Sequence, residues 1–169
     1  MPVCLIAIAL ATLTVQASPL EPLARLKGVW TGTCSGKPGV GIVTKTFTTL
    51  YGGTFVQCDT ALKVPAAGGK AGTMHEDLSL FSYDAPNQKI RMRQFHNEGF
   101  VHTYELKSST PGHWLFEGQD VENLPAGFRP RLTIDLGSDG SMTEVFSLAA
   151  PGKDFSEYVR INLKRKAKT

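Results

Sequence analysis

The sequence lacks most of the signals by which helical proteins and common enzymes declare themselves. Outside residues 19–27, no stretch places apolar residues at a helical period. That argues against a parallel βαβ architecture, in which each parallel pair needs a crossover of a dozen residues or more. There is no G-x-S-x-G elbow, no P-loop and no dinucleotide fingerprint, so the usual nucleophilic and nucleotide-dependent classes have no motif to stand on. Basic residues form no patch interleaved with aromatics. The net charge is +3, but Lys164, Arg165, Lys166 and Lys168 crowd the C-terminal tail, and discounting those four leaves −1. Such a tail is a solvated segment rather than a nucleic-acid face.

Long apolar runs are also missing, except at the N-terminus. Residues 1–17 carry no charged side chain and are too short and small-residued for a comfortable membrane span. Val15-Gln16-Ala17 offers small residues where a signal peptidase reads, so we expect a signal peptide over 1–17 cleaved after Ala17, with Ser18 as the rival position. No Lys or Arg precedes the run, and an N-terminal membrane anchor is the alternative. The expected location is periplasmic or secreted, with no stable membrane span after signal removal. Cysteine is scarce, at three residues, and Cys4 falls in the leader. The remaining pair, Cys34 and Cys58, could form one disulfide worth about 3 kcal/mol in an oxidising compartment. Two buried free thiols are the other reading.

What is plentiful is turn chemistry. The 17 glycines and 10 prolines are spread between short segments rather than pooled in one tract. Gly52-Gly53, Asp84-Ala85-Pro86-Asn87, Pro111-Gly112, Asp139-Gly140 and Pro151-Gly152 each supply positive φ or a preset φ for a tight turn. Between such separators lie ten strand candidates: 29–35, 42–51, 54–64, 73–83, 89–96, 100–107, 113–121, 131–137, 141–149 and 155–165. Ten short strands in up-and-down order remove their exposed edges by closing on themselves. We therefore expect an all-β protein: one closed or nearly closed antiparallel barrel of about ten strands. The expected divisions are the signal peptide at 1–17, an N-terminal lead-in with a short helix at 18–28, the barrel at 29–165 and a basic tail at 166–169. An outer-membrane barrel would need an unbroken apolar lipid face. Arg91, Arg93, Glu105 and Lys107 interrupt that face.

One hairpin can be set in register. With Asn97-Glu98-Gly99 as a three-residue loop and Gly99 left-handed, His96 faces Phe100, Gln94 faces His102, Met92 faces Tyr104 and Ile90 faces Leu106. On the opposite face Arg91 meets Glu105, a favourable charge pair. One face then carries Met92, Gln94, His96, Phe100, His102 and Tyr104, apolar bulk with convergent polar tips, as a ligand cavity requires. Two later apolar faces each carry one carboxylate, Glu144 beside Met142 and Phe146, and Glu157 beside Val159 and Ile161. A carboxylate in a dry core is costly unless paired, so these point either to a polar interior or to a barrel mouth.

The segment Leu26-Lys27-Gly28-Val29-Trp30-Thr31-Gly32 resembles the G-x-W opening of calycins, the lipocalin and fatty-acid-binding group. With the ten-strand meander, and with RMRQFHNEGFVHTYEL, VENLPAGFRPR and LAAPGKDFSEYVRINLKR, the chain looks most like nitrobindin-type barrels and related bacterial calycins. The resemblance implies that Trp30 plugs one barrel end under a cation from the last strand, Arg160, Lys164 or Arg165. It also implies haem held by a histidine close to the C-terminus. The last strand here contains no histidine, and Cys34 replaces the third glycine of the nitrobindin opening. His96 or His102 would have to serve instead.

The functional expectation is a binding module for a small, largely apolar or amphipathic molecule, with Met92, Gln94, His96, Phe100, His102, Tyr104, Glu144 and Glu157 as ligand-facing residues. Trp30 and Arg160 are the expected closure, and no metal set is assigned, because His75, His96, His102 and His113 lack the convergent spacing of a zinc site. The cofactor is left open, with haem not favoured. Three alternatives remain. One is a barrel enzyme of isomerase type using His96 or His102 with Glu144 or Glu157 for proton transfer. The others are a haem binder with a non-standard ligand and a structural barrel filled by its own side chains. His75 and His113 are expected as exposed polarity at strand ends.

Overall fold

Short runs of alternating apolar and polar residues, each ended by a turn former, give ten antiparallel strands in the computed structural model, which describes residues 18–69 and 71–167. The strands are β1 (Gly28–Gly36), β2 (Gly41–Leu50), β3 (Phe55–Val64), β4 (Thr73–Asp84), β5 (Lys89–His96), β6 (Val101–Thr110), β7 (His113–Glu122), β8 (Arg129–Leu136), β9 (Ser141–Ala149) and β10 (Ser156–Arg165). Each pairs with its sequence neighbours, and β10 pairs with β1 to close the barrel. The expected ten-strand meander is therefore the observed fold. The expected signal peptide at 1–17 lies outside the described residues, and among those described no helix is long and apolar enough to cross a membrane.

The β5–β6 hairpin adopts the register read from the sequence. Arg91, Met92, Gln94 and Phe95 lie opposite Glu105, Tyr104, His102 and Val101. His96 N–H donates to the Phe100 carbonyl, and Gly99 takes φ 92°, a left-handed conformation that side chains resist. The expected Arg91–Glu105 contact is replaced. Glu105 accepts from Lys89 at 2.8 Å and Lys107 at 2.7 Å, while Arg91 lies 3.0 Å from Asp84.

An up-and-down barrel puts the β1–β2, β3–β4, β5–β6, β7–β8 and β9–β10 connections at one end and the others at the opposite end. The opposite end is sealed. A short helix, α1 (Glu21–Ala24), lies across it, burying Leu20, Leu23 and Leu26, and Ser18 Oγ donates to the Gly53 carbonyl in the β2–β3 connection. Trp30 is fully buried and donates from Nε1 to the Leu26 carbonyl at 2.7 Å. The Arg165 guanidinium sits 4.4 Å from the Trp30 ring centroid and donates to the carbonyls of Lys27 and Arg25. Closure by Trp30 is thus made with Arg165. The expected Arg160 instead points outward and binds Glu157. Phe47, Phe81, Phe116, Trp114, Met142 and Leu163 pack the interior beside Trp30.

The two cysteines are free and buried. On either side of β2, Cys34 lies opposite Gly41 and Cys58 opposite Phe47. Six residues of extended strand separate those positions by about 20 Å. A disulfide needs Cα atoms within about 7 Å, so the possible Cys34–Cys58 bond is not made.

Candidate functional site

Inward-facing positions change character along the barrel axis. Toward the open end a cavity of about 470 Å³ replaces close packing, within the size range of small-molecule pockets. Loop residues Pro38, Glu98 and Leu124 stand at its mouth, and Leu62, Leu132, Phe146, Val159 and Ile161 supply apolar wall. On the β4–β6 side the wall is polar: His75, Asp77, Gln94, His96 and His102.

Of the eight residues expected to face a ligand, Gln94, His96, Phe100, His102 and Glu144 line this cavity. Met92 and Tyr104 share the inner face but are fully buried in the packed core and do not line the cavity. Glu157 does not face inward. The β10–β9 register shifts between Glu157 and Val159, and the extra residue, Tyr158, reverses the alternation that would have turned Glu157 in. Glu157 is exposed and bound to Arg160.

The deepest polar feature was not singled out from the sequence. Lys45 of β2 reaches Glu144 of β9, its Nζ 2.8 Å from both carboxylate oxygens, with the two side chains 3% and 5% exposed. Burial alone would lower the Lys45 pKa, but the attraction of Glu144, with contributions from Cys58 and Asp77, raises it on balance. Lys45 is therefore a fully charged ammonium. Its signal in the sequence was a lysine at the inward parity of β2, between Val43 and Phe47, matched by a glutamate at the inward parity of β9. Neither Glu144 nor Glu157 is hydrogen-bonded to His96 or His102, so the His–Glu proton-transfer pair is not assembled.

Two hydrogen-bonded chains end at the cavity. In one, Glu98 Oε1 lies 2.7 Å from His75 Nδ1, and His75 Nε2 lies 3.4 Å from His96 Nδ1. In the other, Tyr104 Oη donates to Gln94 Oε1 at 3.3 Å and lies 3.0 Å from His102 Nδ1. The far nitrogens, His96 Nε2 and His102 Nε2, are buried and have no partner in the protein. Burial, and then the neighbouring His102, His75 and Lys45, push the His96 pKa down to about 3. Burial and His75 push His102 down to about 4. Both rings are neutral near pH 7. Burial raises the Tyr104 pKa, so its hydroxyl stays protonated.

His75, expected as exposed polarity, stands at the mouth with His96 and Glu98, one ligand atom from each lying within 4.8 Å of the others. Among the described residues these are the ones that could hold a metal ion. In the structure they are engaged with each other. His113 lies outside, 2.6 Å from Asp135.

The fold and cavity define a closed ten-stranded antiparallel barrel, sealed at one end and open at the other. A scan against protein-family models finds no match, and a search of curated proteins finds no relative. Among solved structures, the crystal structure of Rv2717c from M. tuberculosis is similar, with a TM-score of 0.62 at 16% identity, over 90% of this chain and 100% of that one. At that identity the likeness is one of fold. Haem in the manner implied by the nitrobindin resemblance finds no ligand at the C-terminus, where β10 buries Val159, Ile161 and Leu163 in the interior; an imidazole or comparable axial ligand is required there.

Proposed function

We propose that this chain is an exported calycin-like barrel that binds one small, largely apolar molecule in its interior. The observation carrying this reading is the cavity of about 470 Å³ with an apolar wall on one side and two buried, unpartnered imidazole nitrogens on the other. A barrel filled by its own side chains would have no such volume. An unpartnered buried polar atom costs about 1–3 kcal/mol, and a bound head group removes that cost. Leu62, Leu132, Phe146, Val159 and Ile161 would supply affinity by burial. Gln94, His96 and His102 would orient the polar end, with Tyr104 setting His102 from behind. Export rests on the uncharged apolar run at residues 1–17.

Native mass spectrometry of protein isolated from its own cells tests this. The expected result is a single small-molecule mass increment that disappears on denaturation. Recovery of the bare chain, together with no saturable uptake of added apolar ligand, would overturn it.

A further inference from the structure

Resting on that ligand-binding reading, we propose that the cavity selects an amphipathic amine, a molecule whose head group is cationic and donates hydrogen bonds, and rejects amphipathic carboxylates.

The direction of each hydrogen-bonded chain fixes what the cavity offers. A carboxylate only accepts, so Glu98 requires the proton of His75 on Nδ1, 2.7 Å away. His75 Nε2 lies 3.4 Å from His96 Nδ1 and 3.7 Å from Asp77 Oδ2; in the tautomer with the single His75 proton on Nδ1, His96 donates to that Nε2 from its own Nδ1. That leaves His96 Nε2 as a bare lone pair. In the second chain, the Tyr104 hydroxyl gives its single proton to Gln94 Oε1. Its oxygen therefore receives the Nδ1 proton of His102 at 3.0 Å, leaving His102 Nε2 as a second bare lone pair. His102 is 3% exposed, and both Nε2 atoms are buried without a partner. The two rings lie 4.8 Å apart, so one donor-rich head group can reach both. A carboxylate or carbonyl oxygen would meet them lone pair to lone pair.

Charge points the same way. Among the described residues lining the cavity, Asp77, Glu98 and Glu144 are carboxylates and Lys45 is the cation. That cation is already held by both oxygens of Glu144. An incoming carboxylate finds no free lysine or arginine, whereas an ammonium meets Asp77 and Glu98, two carboxylates that share the single His75 ring between them, 3.7 Å and 2.7 Å away. Phe100, Phe146 and Tyr158 also line the cavity, and aromatic rings near a head group favour a cation over an anion.

The test uses octylammonium, octanol and octanoate, which share one tail, as competitors for cavity-bound Nile red. It is run with EDTA at about pH 8, above the ordinary histidine range. Octylammonium should displace the dye at a concentration at least about tenfold below octanoate, with octanol between them, as expected for satisfied against repelled head groups. In His102→Leu, with competition read against that variant's own dye affinity, the difference should narrow to within about threefold. Octanoate competing as well as octylammonium would overturn the proposal, as would failure of all three to compete or an unchanged preference in His102→Leu. Failure of the wild-type protein to bind Nile red at all would instead overturn the ligand-binding reading beneath it.

Discussion

Lys45 Nζ lies 2.8 Å from both oxygens of Glu144, joining β2 to β9 across the barrel interior with β1 and β10 between them in the wall. Removing one partner strands the other as a buried, unpaired charge. Lys45→Met or Glu144→Leu should each cost about 3–5 kcal/mol, while the double variant Lys45→Met/Glu144→Leu should recover most of that loss. Urea denaturation of the three variants measures it. Two single losses that simply add in the double variant would show that the pair is not coupled.

Acid should unfold this protein through its interior histidines. His96 and His102 have folded pKa values near 3 and 4, below the unfolded value of about 6.5. Between those limits the unfolded chain binds protons that the folded chain does not, so stability falls as pH drops below about 6.5. Thermal melts from pH 7.5 to 4.5 should show this decline. The His102→Leu variant should show a shallower one, and an unchanged slope would count against a buried neutral His102.

The sealed end distinguishes two arginines of β10. Arg165→Met removes the contact over Trp30 and the hydrogen bonds to Lys27 and Arg25, and should lower stability by about 1–3 kcal/mol. Arg160→Met loses an exposed pair with Glu157, worth about 0–1 kcal/mol. Differential scanning calorimetry should rank them in that order. Equal effects would remove Arg165 from the closure.

Cys34 and Cys58 should resist thiol reagents in the native state, because both are buried and burial raises the Cys58 pKa to about 12. Peptide mapping after alkylation in denaturant without reductant should find both labelled. A Cys34–Cys58 crosslinked peptide would contradict the free-thiol assignment.

The barrel was readable from the sequence because its information is local. Turn formers cut the chain into strands, and Asn97-Glu98-Gly99 with the alternation around it set the β5–β6 pairing. The cavity was partly readable for the same reason: Gln94, His96, Phe100 and His102 share that hairpin. What escaped depends on partners far apart in the chain or on departures from alternation. Lys45 and Glu144 are 99 residues apart, and nothing local announces that they meet. A bulge at Tyr158 turned Glu157 outward against the parity of its own strand. Which basic residue of β10 stacks on Trp30 follows from where α1 folds back, and a strand pattern carries no record of that.

The most direct measurement of the central claim is a fluorescence titration of Nile red, a neutral apolar dye, against the wild-type protein and a variant with the cavity filled by Leu132→Trp. We predict saturable binding at one dye per chain, with affinity falling by about tenfold or more when the added ring takes up cavity volume. Absence of saturable binding by the wild-type protein, or equal binding by a folded Leu132→Trp variant, would contradict the account.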